Sequence, residues 1–488
     1  MKLSSPRPAL AAAAALTVLL SGCGGGGTDA VPAETVTPPA ARLDSLLVVS
    51  AALDSIKLIA SDGVSDPYYI MNQWGGHQGR ITRHHDGTVR VLYLRPNSDA
   101  LNTLEWRVLA RASASGTWSV EQSGVSSDDV NLLRDPASDA ALVVAYPNSA
   151  PTVYVLPSRS GTAIPGSWAH IGSNGRHYSA AGIGQDGTLC FKTSVELPTL
   201  KETSNTETHL ICGNYSPLKG WHWGAQKSQN IGNRYGYDYL FPGGFGSSGQ
   251  LVATAQSNLK YTAAGYPHAN PLQNYVFNGV GIYTANTSGY GDLVLRQLLP
   301  AYHTPNPVEA TVPPLARMID SFNDSQHRII TTYYAEPGSG AGTPVRGFYT
   351  VIANPDGSVL PAIYWSGVAQ YGSVRIFEDG SKRLWLLWTG QGVSQTRMKL
   401  YALQQNLPRQ ALALGSVTDF GQPFGDYSID GAPHLALTSK GQVADNSVEG
   451  MFAACEETYS AERAFTLPCY PSGNGSQRIL YFRIRLPN

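Results

Sequence analysis

Apolar and polar positions alternate along most of this chain in short runs, and the runs come in pairs around a polar turn, often Asp-Gly. That period of two, folded back across a tight turn, predicts β-hairpins. The unit recurs at residues 80–94 (RITRHHDGTVRVLYL), 130–146, 179–192, 239–256, 316–334, 372–388 and 432–454. Successive turns lie roughly 50 to 75 residues apart, the span of a four-stranded propeller blade with variable outer loops. Further strand-like runs at 152–156, 208–212, 281–285, 347–353 and 399–403 suit the outer strands of each blade. The first run, 45–50 (SLLVVS), and the last, 478–486 (RILYFRIRL), are expected to share a blade and close the ring, which removes exposed edges. The pattern predicts an all-β, seven-bladed β-propeller, with six or eight blades as alternatives and a β-sandwich followed by a second all-β domain as the rival. The glycines read as turn punctuation.

Composition narrows the function classes. Thirty-four basic residues stand against 35 acidic ones in 488, with no Lys/Arg-rich run, which argues against a nucleic-acid partner. At 42% hydrophobic and 14% charged, with 51 Gly and 26 Tyr, the chain is neither disordered nor a helical bundle. Lys2 and Arg7 flank an apolar stretch at 9–20 that ends in Leu20-Ser21-Gly22-Cys23. This segment resembles the bacterial lipoprotein signal, which implies cleavage before Cys23 and lipidation of Cys23. With Gly24 rather than Asp next, it also implies sorting to the outer membrane, periplasmic or cell-surface facing. An ordinary secretory signal is the alternative. Residues 1–22 are then a signal peptide, 23–44 the lipidated cysteine and a Gly/Pro/Thr-rich tether, and 45–488 one folded domain. Nothing in the sequence calls for an oligomer, and a monomer is expected.

Four further cysteines, Cys190, Cys212, Cys455 and Cys469, sit in an exported chain. Two disulfides follow, and sequence proximity selects 190–212 and 455–469 from the three formal pairings. Neither pair has metal-ligand spacing, and His209 falls on the strand face opposite Cys212. No metal and no cofactor are expected.

Two stretches place a His before an inner strand. Asn72-Gln73-Trp74-Gly75-Gly76-His77 leads to the turn at Asp86-Gly87, and Asn174-Gly175-Arg176-His177-Tyr178 to that at Asp186-Gly187. The hairpin after His177 opens with Arg234-Tyr235-Gly236-Tyr237-Asp238-Tyr239. This grammar resembles the BNR-type repeat propellers, particularly the branch that includes ulvan and other uronate-polysaccharide lyases. In that branch one blade gives a His near the start of its inner strand, with a second His later, and the next blade gives a Tyr and then an Arg. Tyr237 or Tyr239 stands where the family's Tyr stands, but the position of the Arg falls near Gln256, with Lys260 the nearest cation. The sialidase Asp box is approached only at 113–118 (SASGTW), which lacks its Asp.

β-Elimination removes a proton α to a carboxylate, so the chemistry needs a cation on that carboxylate, a base, and a proton donor for the leaving oxygen. The resemblance implies a surface-tethered lyase acting on an acidic polysaccharide. His177 and Tyr239 would transfer protons, with Tyr237 as the alternate, and Arg176 or Lys260 would meet the carboxylate. His77 and Arg83 are further substrate-binding candidates. The alternatives are a non-catalytic glycan- or protein-binding propeller lipoprotein and a glycoside hydrolase. Glu105, Asp238, Asp320 and Glu378 are candidate acids for the hydrolase, without a feature that pairs them.

Overall fold

The computed structural model describes residues 50–63, 79–97, 104–112, 116–127, 129–147, 150–168, 178–196, 206–216, 218–230, 234–260, 275–286, 293–299, 315–336, 345–370, 372–391, 396–406, 411–425, 428–429, 433–437, 446–455 and 477–487. All of them fall in the compact unit Leu47–Asn488. Seven antiparallel sheets form the ring of a seven-bladed β-propeller. Blades four and five touch through one parallel pair, Asn278 with Ala316. Among the described residues the only helical turn is the 3₁₀ turn Gly244–Gly246.

The innermost strands of blades one to six are Ile81–Arg83, Asn131–Arg134, Tyr178–Ile183, Arg234–Pro242, Leu315–Asn323 and Ser373–Glu378. In blade seven the innermost position is shared by Ser428–Ile429 and His434–Leu435, both paired with Ser447–Cys455. The runs expected as outer strands are the third strands of their blades, as with Thr152–Val155 and Thr206–Ser216. The ring closes on the N-terminal strand, but that strand is Ala52–Gly63, paired with Gln477–Arg485. The closing run was expected at 45–50, of which 45–49 lie outside the described residues.

Why the second strands read as nearly unbroken apolar runs becomes clear at the seams. A strand sends alternate side chains to opposite faces, and in a propeller both faces meet a neighbouring blade. Leu92 and Leu94 pack against Val130, Leu132 and Val143 of blade two. Val91 and Tyr93, on the other face, pack against Met451 and Tyr481 of blade seven. Each of the seven seams has its own hydrophobic cluster, so the core is a wheel of seven interfaces.

Antiparallel four-strand blades put the first-to-second turns on one face of the ring. The second-to-third connections and the links between blades lie on the other. The turn face is tight, with His84, Gly184, Asp324 and Asp379 each donating their amide to a carbonyl a few residues on. The opposite face carries the long connections, from Glu196 to Thr206, Lys260 to Tyr275 and Cys455 to Gln477. Inner strands therefore enter from the loop-rich face, where propellers offer room for a ligand.

Of the cysteines, Cys190 and Cys212 are direct cross-strand partners and form a disulfide. Cys469 and the side chain of Cys455 lie outside the described residues, as does Cys23.

Candidate functional site

A cavity of about 170 Å³ lies on the axis and is lined by residues of all seven blades. Its charged and polar lining includes Arg80, Arg134, Tyr239, Asp320, Arg375 and His434. Register explains how distant residues come to one level. In blades one to six the inner strand is followed by a residue whose amide closes the turn: His84, Asp135, Gly184, Gly243, Asp324 and Asp379. Four positions upstream stand Arg80, Asn131, Ala180, Tyr239, Asp320 and Arg375. In blades one, four, five and six this register position reaches the cavity lining, whereas Asn131 and Ala180 are fully buried beside it, and contacts between blades knit the belt. Arg80 Nη1 donates to the Val130 carbonyl at 2.8 Å. Asn131 Oδ1 accepts from the Gly79 amide at 3.3 Å.

Blades four, five and six meet in the densest part of the belt. Arg375 Nη1 donates to Asp320 Oδ1 at 2.5 Å and to the Tyr239 hydroxyl at 3.2 Å, while its Nε donates to the Pro433 carbonyl of the blade-seven segment at 2.8 Å. The Tyr239 hydroxyl donates to the Ile319 carbonyl at 3.3 Å. Arg375 and Asp320 are buried and Tyr239 is half-buried. Burial, reinforced by the Asp320 charge, raises the Tyr239 phenol well above its ordinary range, so at neutral pH it is a proton donor. Burial also raises the Asp320 carboxyl, against the pull of Arg375. Arg80 is pushed down to about 10 by burial, which Asp129 opposes, and it still carries its charge at neutral pH.

Two sequence candidates line this cavity, Tyr239 from the lyase reading and Asp320 from the candidate acids of the hydrolase reading. Tyr237 is on the same inner strand, Arg234–Pro242, with its side chain outside the described residues. Lys260 ends the strand Gln250–Lys260, opposite Tyr275, and its side chain is also outside them. His77, Arg176 and His177 lie outside the described residues altogether, His177 directly before the inner strand Tyr178–Ile183. Arg83 is half-buried beside the His84 turn, where its Nη1 donates to Ser447 Oγ at 2.9 Å, away from the cavity lining. Gln256, at the position of the expected Arg, is a blade-to-blade clamp. Its amide nitrogen donates to the Gly279 and Ala316 carbonyls and its oxygen accepts from the Met318 amide at 2.6 Å.

The cation that the sequence reading did not find is Arg375, from blade six. Its signal was a lone charge inside the apolar run SVRIF, and Asp320 shows the same signature inside MIDSF. Of the other candidate acids, Asp238 pairs with Lys192 Nζ at 2.6 Å in the seam between blades three and four. Glu378 accepts from the amide and hydroxyl of Ser325, and Glu105 pairs with Arg107. Among the described residues no group of three or more His, Cys, Asp or Glu side chains is arranged to hold a metal ion.

The fold and the axial site define a seven-bladed propeller with a cation-rich centre. No family model and no curated protein matches the chain. A solved PL25 ulvan lyase bound to -[GlcA(1-4)Rha3S]- has the same fold, with a TM-score of 0.50 and 10% identity over 82% of this chain and 93% of its own. Polysaccharide lyase Uly1 gives a TM-score of 0.45 at 9% identity, covering 91% of this chain and 100% of its own. A Trypanosoma rangeli sialidase in complex with the inhibitor DANA gives 0.37 at 10% identity, over 89% of this chain and 59% of its own.

Proposed function

We propose that this protein is a polysaccharide lyase that cleaves a uronic-acid-containing glycan by β-elimination, tethered to the outer membrane through a lipid on Cys23. The observation that carries the reading is the Tyr239 hydroxyl held 3.2 Å from Arg375 Nη1 on the axial cavity. Among the described residues the cavity lining holds Arg80, Arg134 and Arg375, with Arg134 ion-paired to Asp139 and Arg375 to Asp320, and these guanidinium groups are what an anionic sugar would meet. In the reaction a base removes the proton on the carbon bearing the carboxylate. The electron pair forms a double bond to the next carbon, the bond from that carbon to the glycosidic oxygen breaks, and the departing oxygen receives a proton. Arg375 is assigned to the substrate carboxylate and protonated Tyr239 to the leaving oxygen. His177 is the base, a role that neutral imidazole fills at pH 7. Tyr237 is the alternate donor, and His77, Arg176 and Lys260 are assigned to binding the polymer from the loop-rich face.

The test is ultraviolet absorbance of the unsaturated uronate product during incubation with a panel of uronate polysaccharides, with neutral glycans as controls. Rising absorbance on one polymer is expected, and Tyr239→Phe or His177→Ala should lower the rate about 10²–10⁴-fold. Flat absorbance with new reducing ends would replace the lyase by a hydrolase. One observation favours a second reading, a non-catalytic glycan-binding propeller: Gln256 stands where the family's Arg is expected and is fully engaged in holding blades together. Binding without cleavage across the panel is its expected result.

A further inference from the structure

Arg375 is 4% exposed, and its Nε and Nη1 are engaged by Pro433, Asp320 and Tyr239. Its Nη2 has no hydrogen-bond partner among the described residues, on a side chain that lines the axial cavity. A buried guanidinium with one nitrogen not engaged, on a side chain that lines a cavity, offers an oxyanion a single charge-assisted hydrogen bond, the rest of its fork being held by Pro433, Asp320 and Tyr239. Yet the site already contains one carboxylate, Asp320, 2.5 Å from the same guanidinium. A second anion entering would leave two negative groups sharing one cation in a desolvated place, and in that arrangement one of the two takes up a proton.

We propose that the anionic group of the sugar binds Arg375 through Nη2 together with one proton, which is taken up by Asp320. The inference rests on the anionic-glycan reading above and adds to it a regulation: the site is emptied by rising pH and filled by falling pH. Asp320 is then a positioning residue, an internal carboxylate that holds Arg375 against Tyr239 until substrate exchanges for its charge. The surroundings leave few other groups to account for such a proton. Burial already favours protonation of Asp320. Tyr239, packed on it from blade four, is itself held protonated, while Arg80 and Arg134 line the same cavity from blades one and two, Arg134 paired with Asp139 at 2.5 Å and Arg80 under the charge of Asp129. His434 of blade seven is the remaining titratable side chain on the cavity lining among the described residues.

The experiment is calorimetric titration of the whole protein with D-glucuronate, which carries the carboxylate and has no glycosidic bond to break, in two buffers of different ionisation enthalpy across a pH series. D-Glucose is the control. Uptake of about one proton per glucuronate is expected, with binding about tenfold weaker for each pH unit above the titration of Asp320. Asp320→Asn should abolish the uptake and the pH dependence, and Arg375→Gln should abolish binding. The two-buffer comparison on the unaltered protein stands if either variant fails to fold. Glucuronate bound without proton uptake, uptake undiminished in Asp320→Asn, uptake lost instead in His434→Gln, or no binding of glucuronate would each overturn the proposal. Proton-linked binding with flat absorbance on every polymer would sink elimination and leave this site standing. Rising absorbance without proton uptake would do the reverse.

Discussion

At the scale of single residues, the turn face shows how burial sets pH behaviour. His84 is buried, with Nδ1 2.8 Å from the Asp139 carbonyl and Nε2 3.2 Å from Thr82 Oγ1. Burial, then the charge of Arg90, lowers its pKa below the ordinary 6.5. The folded state therefore binds this proton less tightly than the unfolded chain. The stabilisation is full above about pH 6.5 and is lost as pH falls through the folded value. Asp139 adds to the trend further down: burial opposes its charge, but Arg134 and the His85 amide hold its carboxyl below 3.8. Thermal unfolding followed from pH 8 downward should show the midpoint falling once pH drops below about 6.5, and His84→Gln should flatten that limb. An unchanged slope in the variant would place the titration elsewhere. The adjacent histidines before the Asp86-Gly87 turn part company: the side chain of His85 is 72% exposed while that of His84 is 2% exposed. Which of two adjacent histidines faces a neighbouring blade depends on the seam, and the sequence does not contain the seam.

At the scale of elements, turn chemistry made the hairpins legible. Gly87 and Gly187 have φ of 81° and 78°, the left-handed conformation that glycine tolerates. The preceding Asp86 and Asp186 accept from the Thr88 and Thr188 amides, closing each turn with a side chain. The reading of glycines as turn punctuation holds there and fails at Gly182, inside the inner strand Tyr178–Ile183. A Cβ at Gly182 would sit 2.0 Å from the Leu240 carbonyl oxygen, so blades three and four approach here backbone to side-chain position. Gly182→Ala should cost roughly 1–3 kcal/mol, read as a lower urea midpoint at unchanged slope. A midpoint equal to that of the parent would mean that the inner strands slide apart without cost. The chain could be read into strands because a strand's period and its turns are set within a few residues. It could not show Gly182 meeting Leu240, which belongs to the next blade.

At the scale of the whole molecule, the ring depends on its two ends meeting. Ala52–Gly63 covers the edge of Gln477–Arg485, with Leu53 and Ile56 packed on the core of the last seam and Arg485 Nε 2.5 Å from Asp54. A chain starting at residue 64 leaves that edge open, so it should unfold at lower temperature and associate with rising concentration in light scattering. A chain starting at residue 50 should behave as the parent does, and equal behaviour of both truncations would show that the clasp is dispensable. The sequence by itself determined the all-β class, the seven hairpin units, the Cys190–Cys212 pair, and Tyr239 and Asp320 as residues of interest, because period, turn composition and cysteine proximity are local properties. Only the tertiary structure decided that the site is a belt around the axis. Tyr239 and Arg375 are 136 positions apart, and Asp320 and Arg375 are 55 apart. They touch because each stands at the same distance from its own turn, on blades that closure of the ring holds side by side.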